Sequence, residues 1–342
     1  MPQRSRSIAA LAIVVWLPLV IVFGPAGGAR SVVAAQEQTP AAGSALERAV
    51  TWLVTQQAAD GGFVAYAGES DSGATVDAVL ALAAARNAGI DVAAPLDRAA
   101  AYLASAGEAY ASQGAGQRAK LALAKLAIGF FADGFSDLAA SAPSDLATPS
   151  GSSGIYGNGV FDHALVVLAI AGGGAAVPPA ALDALAAVQA ADGSWAFSGD
   201  TAPGAGDTNT TALAIQALVA AGRGGDPVVT AGLGFLRTAQ VPGGGFAYQP
   251  IAPLVADANS TAVVVQAIVA AGGDPAGADW GGAAGGLAAF QNPTGAFRYT
   301  DEQPDDNLFA TVQAIPALAG AALPIVASDE TEATPAAARW AA

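Results

Sequence analysis

Two kinds of apolar run alternate along this chain. In TALAIQALVAAG (211–222) and TAVVVQAIVAAG (261–272) nearly every position is apolar or small, so a helix made from either must be covered on all sides. Runs of this kind predict helices over Thr75–Ala88, Gln117–Phe131, Asp162–Ala171, Asp207–Ala221, Asp257–Ala271 and Asp306–Ala319, with starts at 77, 117, 162, 207, 257 and 306, 40 to 50 residues apart. Each is preceded by a second run. Ala45–Gln57 carries Glu47 and Arg48 on one side, Pro95–Ala106 carries Asp97 and Arg98, and Pro227–Gln240 carries Arg237; Pro179–Ala190 and Trp280–Gln291 are further partners, and the one around Phe135–Ala142 is short and poorly marked. Pro95, Pro179 and Pro227 sit in first turns and Gly89, Gly222 and Gly272 follow helix ends, as start and stop rules require.

A covered helix paired with an amphipathic one, six times over, predicts an inner layer inside an outer layer. The expected fold is all-α, an (α/α)6 toroid or barrel of six helix pairs. An open stack has the same periodicity, but closure removes the apolar ends that an open solenoid must cap.

A short motif marks the joints. Gln189, Gln240 and Gln291 are spaced by 51 residues, and Gln57 precedes Gln189 by 132. A glycine turn and an aromatic ring follow each: Asp60-Gly61-Gly62-Phe63, Asp192-Gly193-Ser194-Trp195, Gly243-Gly244-Gly245-Phe246 and Thr294-Gly295-Ala296-Phe297. The reading is structural, with the turn tight, the ring packed and the glutamine serving free backbone groups at a helix end. A second ring follows at Phe197, Tyr248 and Tyr299, and at Tyr66 in the first copy. Residues two apart in an extended segment share a face, so these rings fall at equivalent places and can line one end of the barrel.

The Q-x-x-D-G-[SG]-[WF] element with its Thr/Ala-rich inner helix resembles the repeats of the terpenoid cyclase and protein prenyltransferase α/α-toroid superfamily, which includes squalene-hopene cyclases. The resemblance covers about residues 44–322. Within it, D-T-N-T-T-A-L-A (207–214) and A-T-V-Q-A-I-P-A-L-A-G (310–320) are similar to the α domain of the cobalamin carriers. The superfamily holds cyclases, zinc transferases, thioester domains and carriers, so it fixes the fold more narrowly than the activity.

Composition removes several of these activities. With no cysteine and one histidine, the chain lacks the ligands of a zinc prenyltransferase and the thiol of a thioester. No D-x-D-D of the class II cyclases occurs; the nearest acids, Pro304-Asp305-Asp306-Asn307, lack its first aspartate. The nucleophile-elbow pattern is absent too.

Residues 1–35 read as a signal peptide, with Arg4 and Arg6 before the apolar run Ile8–Phe23 and with Val33 and Ala35 at a cleavage site; an uncleaved anchor is the other reading. Its removal takes three arginines (Arg4, Arg6, Arg30) and no acid from 13 bases and 28 acids, moving the net charge from −15 to −18. An exported chain of this charge is no nucleic-acid binder. Residues 323–342 read as a disordered acidic tail.

The candidate site follows from the inner-helix starts. Asp77, Asp162, Asp207, Asp257 and Asp306 stand there as caps, and because the inner helices of a toroid point one way, these acids gather around one opening. His163 and Tyr156 lie near the same rim, with Phe197, Tyr248 and Tyr299. By the carrier resemblance, Asp207 and Asp257 contact the ligand. The expectation is a secreted, non-catalytic binder of a small, largely apolar ligand, possibly a corrinoid. Two alternatives stay open: a cyclase-like or glycan-cleaving toroid in which Asp207 and Asp257 act as acid and base, and a cell-surface interaction scaffold. Animal carriers clamp their ligand with a second domain, whereas fewer than twenty-five residues follow position 322 here; either the affinity is lower, a partner chain closes the pocket, or the ligand is something else.

Overall fold

The wholly apolar runs fold into helices α2 (Ser72–Asn87), α4 (Ala115–Ile128), α5 (Val160–Gly172), α7 (Thr208–Ala220), α9 (Ala258–Ala270) and α11 (Leu308–Leu318). Each touches the next and α11 returns to α2, so the ring is closed rather than an arc. Ala81, Ala124, Ala217 and Ala267 are fully buried, and side chains this small let neighbouring helices approach closely. The amphipathic runs α1 (Ala45–Thr55), α3 (Ala93–Ala111), α6 (Pro179–Ala187), α8 (Pro227–Thr238) and α10 (Ala283–Ala288) lie outside it against the inner helices. These are the described elements of a computed structural model that covers residues 44–65, 68–128 and 154–327, all within one compact unit. The expected signal at 1–35, Tyr66 and the expected outer helix Phe135–Ala142 fall outside the described residues. Among those residues no helix is long and apolar enough to cross a membrane.

The motif joins one outer helix to the next. The Gln57 Nε2 donates to Gly61 O of its own turn and to Pro95 O of α3, both at 2.9 Å. Gln189 repeats this with Gly193 and Val228, Gln240 with Gly244 and Trp280, and Gln291 with Gly295 and Ala45. The last of these closes the ring, because Ala45 opens α1. Phe63, Trp195, Phe246 and Phe297 are fully buried, and each backbone N–H donates at 2.9 Å to a threonine hydroxyl of the following inner helix: Thr75, Thr211, Thr261 and Thr311. The same ring residues pair antiparallel with the residue before each inner helix. β1 (Phe63–Val64) pairs with β2 (Ser70–Asp71), β3 (Phe246–Ala247) with β4 (Ala256–Asp257), and Trp195 and Phe297 bridge to Asp207 and Asn307. These short ribbons hold the helix caps in place.

Several expected boundaries move. α2 starts at Ser72 under an Asp71 cap, not at Asp77. In the last repeat Asn307 is the cap, its Oδ1 accepting from Ala310 N at 2.9 Å, and Asp306 precedes it. The helix expected from Trp280 starts only at Ala283, because Gly281 and Gly282 take φ of 53° and 72°, a left-handed geometry that stops a helix.

The packed chain also runs past 322. Leu323 N donates to Gln216 Oε1 of α7 at 2.9 Å, Val326 O accepts from Asn87 Nδ2 of α2 at 2.8 Å, and Ala327 N donates to Leu126 O of α4. Residues 323–327 thus cross the C-terminal end of the inner ring, and the first five residues of the expected tail belong to the fold.

Candidate functional site

The inner helices are parallel, and their N-termini share one end. Val160 N donates to Phe197 O, Thr208 N to Tyr248 O and Ala258 N to Tyr299 O at 2.8–2.9 Å, so each second ring sits on the first turn of the inner helix before it. This places Phe197, Tyr248 and Tyr299 at the expected end. Phe197 stacks on Phe161 with centroids 5.9 Å apart and keeps 55% of its surface exposed, and Tyr248 keeps 42%.

Asp207 and Asp257 are at this mouth too, but their carboxylates are engaged. Asp207 Oδ1 accepts from Thr210 N at 2.7 Å and Oδ2 from Thr210 Oγ1 at 2.8 Å; Asp257 Oδ1 accepts from Ser260 N at 2.7 Å. Burial raises both carboxyl pKa values, opposed by these cap bonds. Burial, and next the Asp207 charge, pushes the Tyr248 phenol up to about 12, while burial and Asp257 do the same to Tyr299. Both tyrosines are therefore neutral donors at physiological pH.

An inner helix has inner neighbours on both sides and outer helices behind, which leaves one face toward the ring axis. Residues that keep partial exposure mark that face. The second residues of five inner helices do so, namely Gly73, Phe161, Asn209, Asn259 and Phe309. Four positions on, and so on the same face, Asp77, Lys120, Val263 and Gln313 are half-buried. One turn deeper Leu80, Leu123, Leu168, Gln216 and Gln266 are buried. Exposure fades over about 10 Å at 1.5 Å per residue, the profile of a blind shaft along the axis. Two polar regions face each other across its apolar walls. On α7, α9 and α11 the side-chain oxygens of Asn209, Asn259 and Gln313 are buried without a hydrogen-bond partner in the protein. On α2 and α4, Asp77 and Lys120 form an ion pair at 2.5 Å. Burial works hardest against the lysine charge, but Asp77, with Tyr110 and Asp71, outweighs it and the Lys120 pKa rises.

Sequence reasoning missed four of these groups: Asn209, Asn259, Gln313 and Lys120. The signal for the asparagines was present, since both follow a capping aspartate by two residues in D-T-N-T-T and D-A-N-S-T.

Other expected members belong to the framework. Asp162 is the third residue of α5, not its cap; its Oδ2 accepts from Asn158 N at 3.1 Å, and it sits against Gly116 of α4, where a Cβ would lie 2.1 Å from Oδ1. Asp306 is exposed and accepts from Asn292 Nδ2 and Thr294 Oγ1, both at 2.8 Å, in the turn after Gln291 of its own repeat. Tyr156 is buried, stacked on His163 with centroids 5.1 Å apart, and does not reach the rim. His163 is wholly buried: Nδ1 accepts from Tyr156 N, so Nε2–H donates to Ala181 O, each at 2.9 Å. Both ring nitrogens are used, which removes this histidine from the ligand set.

Burial lowers the His163 pKa from 6.5 to about 4, opposed by the Ala181 bond. A histidine held neutral in the fold contributes stability that is complete above 6.5 and is lost as pH falls toward 4. The gap corresponds to about 3 kcal/mol. Urea midpoints of the wild type and His163→Gln, measured from pH 7.5 to 4, are expected to show that drop in the wild type only; parallel curves would disprove it.

Solved structures share this architecture. Type II terpene cyclase MstE from Scytonema matches with a TM-score of 0.53 at 17% identity, over 80% of this chain and 96% of that one. A protein from Actinoplanes matches at 0.56 and 15% identity, over 81% and 98%. Haptocorrin in complex with Cbi gives 0.49 at 13% identity, over 81% and 66%. No protein-family model and no curated protein matches the chain by sequence. The terpene cyclase match establishes the α/α-toroid fold.

Proposed function

We propose that this chain is an exported, non-catalytic α/α-toroid that binds a small, largely apolar ligand in the shaft at the N-terminal mouth of its inner helices. One observation carries the reading. Asn209, Asn259 and Gln313 leave buried side-chain oxygens without partners in the protein, on the helix face that retains exposure. A buried polar group left unsatisfied costs about 1–3 kcal/mol, and three on adjacent helices form a surface waiting for a hydrogen-bonding molecule. The capping roles of Asp207 and Asp257 favour binding over acid–base chemistry. A corrinoid, a broad ring fringed with amide groups, is the first ligand to test, by optical titration with cobalamin and cobinamide; an unchanged absorption spectrum at high protein concentration removes it.

The pocket itself is testable without knowing the ligand. Val263 is half-buried on the axial face of α9, so a larger side chain there extends into the shaft and not into the core. Nile red is expected to bind the full chain with enhanced, blue-shifted emission, and Val263→Trp to weaken it at least tenfold while leaving the helical circular dichroism intact. Dye binding that is indifferent to Val263→Trp would place the apolar site elsewhere.

A further inference from the structure

From the charges around the shaft we infer the class of its occupant: a molecule without net negative charge, with an apolar body and an amide- or hydroxyl-type head, with free carboxylates and phosphate monoesters turned away. The inference rests on the shaft being the binding site, and adds to it the chemistry that enters.

An anion here would need a free cation or unused helix N–H groups, and at α7 and α9 Thr210 N and Ser260 N already donate to Asp207 and Asp257. Among the described residues Lys120 is the one base on the axial face of the inner ring, and its charge is neutralised by Asp77 at 2.5 Å. Arg118, two residues before it, is exposed on the opposite face of α4, at the fourth position of the helix, where Thr75, Thr211, Thr261 and Thr311 serve the ring turns in other repeats. Arg86 is spent at the far end, donating to Ala127 O and Ile128 O of α4. The stretch 129–153, as sequence, holds three acids and no base.

At the mouth itself, Asp207 and Asp257 keep their carboxylates beside Asn209 and Asn259, 3% and 4% exposed. Their caps draw on helix N–H groups and a hydroxyl, and among the described residues no ion pair reaches either carboxylate. Such charges act through a poorly screened medium, so a second negative group entering the shaft is repelled. A neutral amide or hydroxyl meets no such penalty. It donates to the unpartnered oxygens of Asn209 and Asn259, each of which carries both an acceptor and an –NH₂ donor, and its apolar part lies along Leu165, Leu213 and Val263.

The test uses two probes that differ only in the head, decanamide and decanoate, competing with Nile red on the full chain at pH 7.5. Decanamide is expected to displace the dye at a concentration at least tenfold lower. Because loss of charge also makes a probe more apolar, two variants separate the causes. Asn209→Leu with Asn259→Leu is expected to weaken decanamide about tenfold and leave decanoate unchanged. Asp207→Asn with Asp257→Asn keeps a capping residue at both helices and is expected to strengthen decanoate about tenfold and leave decanamide unchanged. Decanoate binding as tightly as decanamide, failure of both probes to displace the dye, or indifference of either probe to its matched variant overturns the inference. Those results leave the pocket standing provided Val263→Trp still blocks the dye, whereas an ineffective Val263→Trp removes the pocket itself.

Discussion

Replacing Trp195 by alanine is expected to lower the stability of the fold by about 4 kcal/mol, the middle of the range for deleting a buried aromatic side chain. The ring is fully buried, its indole N–H donates to Leu185 O at 2.7 Å, and a Cβ on Gly232 of α8 would lie 2.8 Å from it. The substitution therefore opens a cavity between α6, α7 and α8 and leaves a carbonyl at the end of α6 unpaired. Trp195→Phe restores the ring found at the three other joints, Phe63, Phe246 and Phe297. It should cost about 1–2 kcal/mol, from the lost hydrogen bond and the smaller ring. Urea unfolding of the three proteins decides this; equal losses for phenylalanine and alanine would show that the indole N–H, not the packed volume, matters.

The second large effect is expected at Gly193. Its φ is 88°, and a Cβ there would stand 2.4 Å from the backbone oxygen of Ala231 in α8. Gly222 is the control, with a φ of 81° and nothing within 4 Å. Left-handed backbone costs a residue with a side chain about 1–2 kcal/mol, and forcing apart packed atoms adds about 1–3 kcal/mol. Gly222→Ala should thus lose about 1 kcal/mol and Gly193→Ala about 3 kcal/mol, read as the difference between urea midpoints. Gly61, Gly244 and Gly295 face the same kind of approach, to backbone oxygens of Arg98, Gly282 and Arg48 at 2.3, 2.6 and 2.4 Å. The glycine of the motif is there because the next outer helix touches it.

The toroid was legible in the sequence because its joints are written locally. Glutamine, turn and ring lie within seven residues, and the inner helices announce themselves by lacking a polar face. Where local chemistry was ambiguous, boundaries slipped. Ser72, Gly73 and Ala74 look like loop until Asp71 is seen capping them, and the paired glycines 281 and 282 break a helix that the apolar pattern carries through.

The site was legible only in part. Aspartates at helix starts are conspicuous, and Asp207 and Asp257 do stand at the mouth, but as caps with both oxygens of Asp207 and one of Asp257 taken by their helices. Which first-turn residue points inward depends on the closed ring, and that selects Asn209 and Asn259. The Asp77–Lys120 pair spans two repeats, so neither residue signals the other. His163 and Tyr156 were conspicuous for their chemistry, yet they bond to each other and to Ala181 inside the fold.

The contact of Gln291 and Gly295 with Ala45 and Arg48 has a consequence for how the gene could be written. It uses the same donor, the same glycine and the same approach as the joint between Gln189, Gly193, Val228 and Ala231, so the seam where first and last units meet is chemically one more hinge-pin among equals. Among the four described joints of this kind, none is set apart as the beginning. A permuted reading frame that opens at another joint and links the old ends would encode the same set of neighbours.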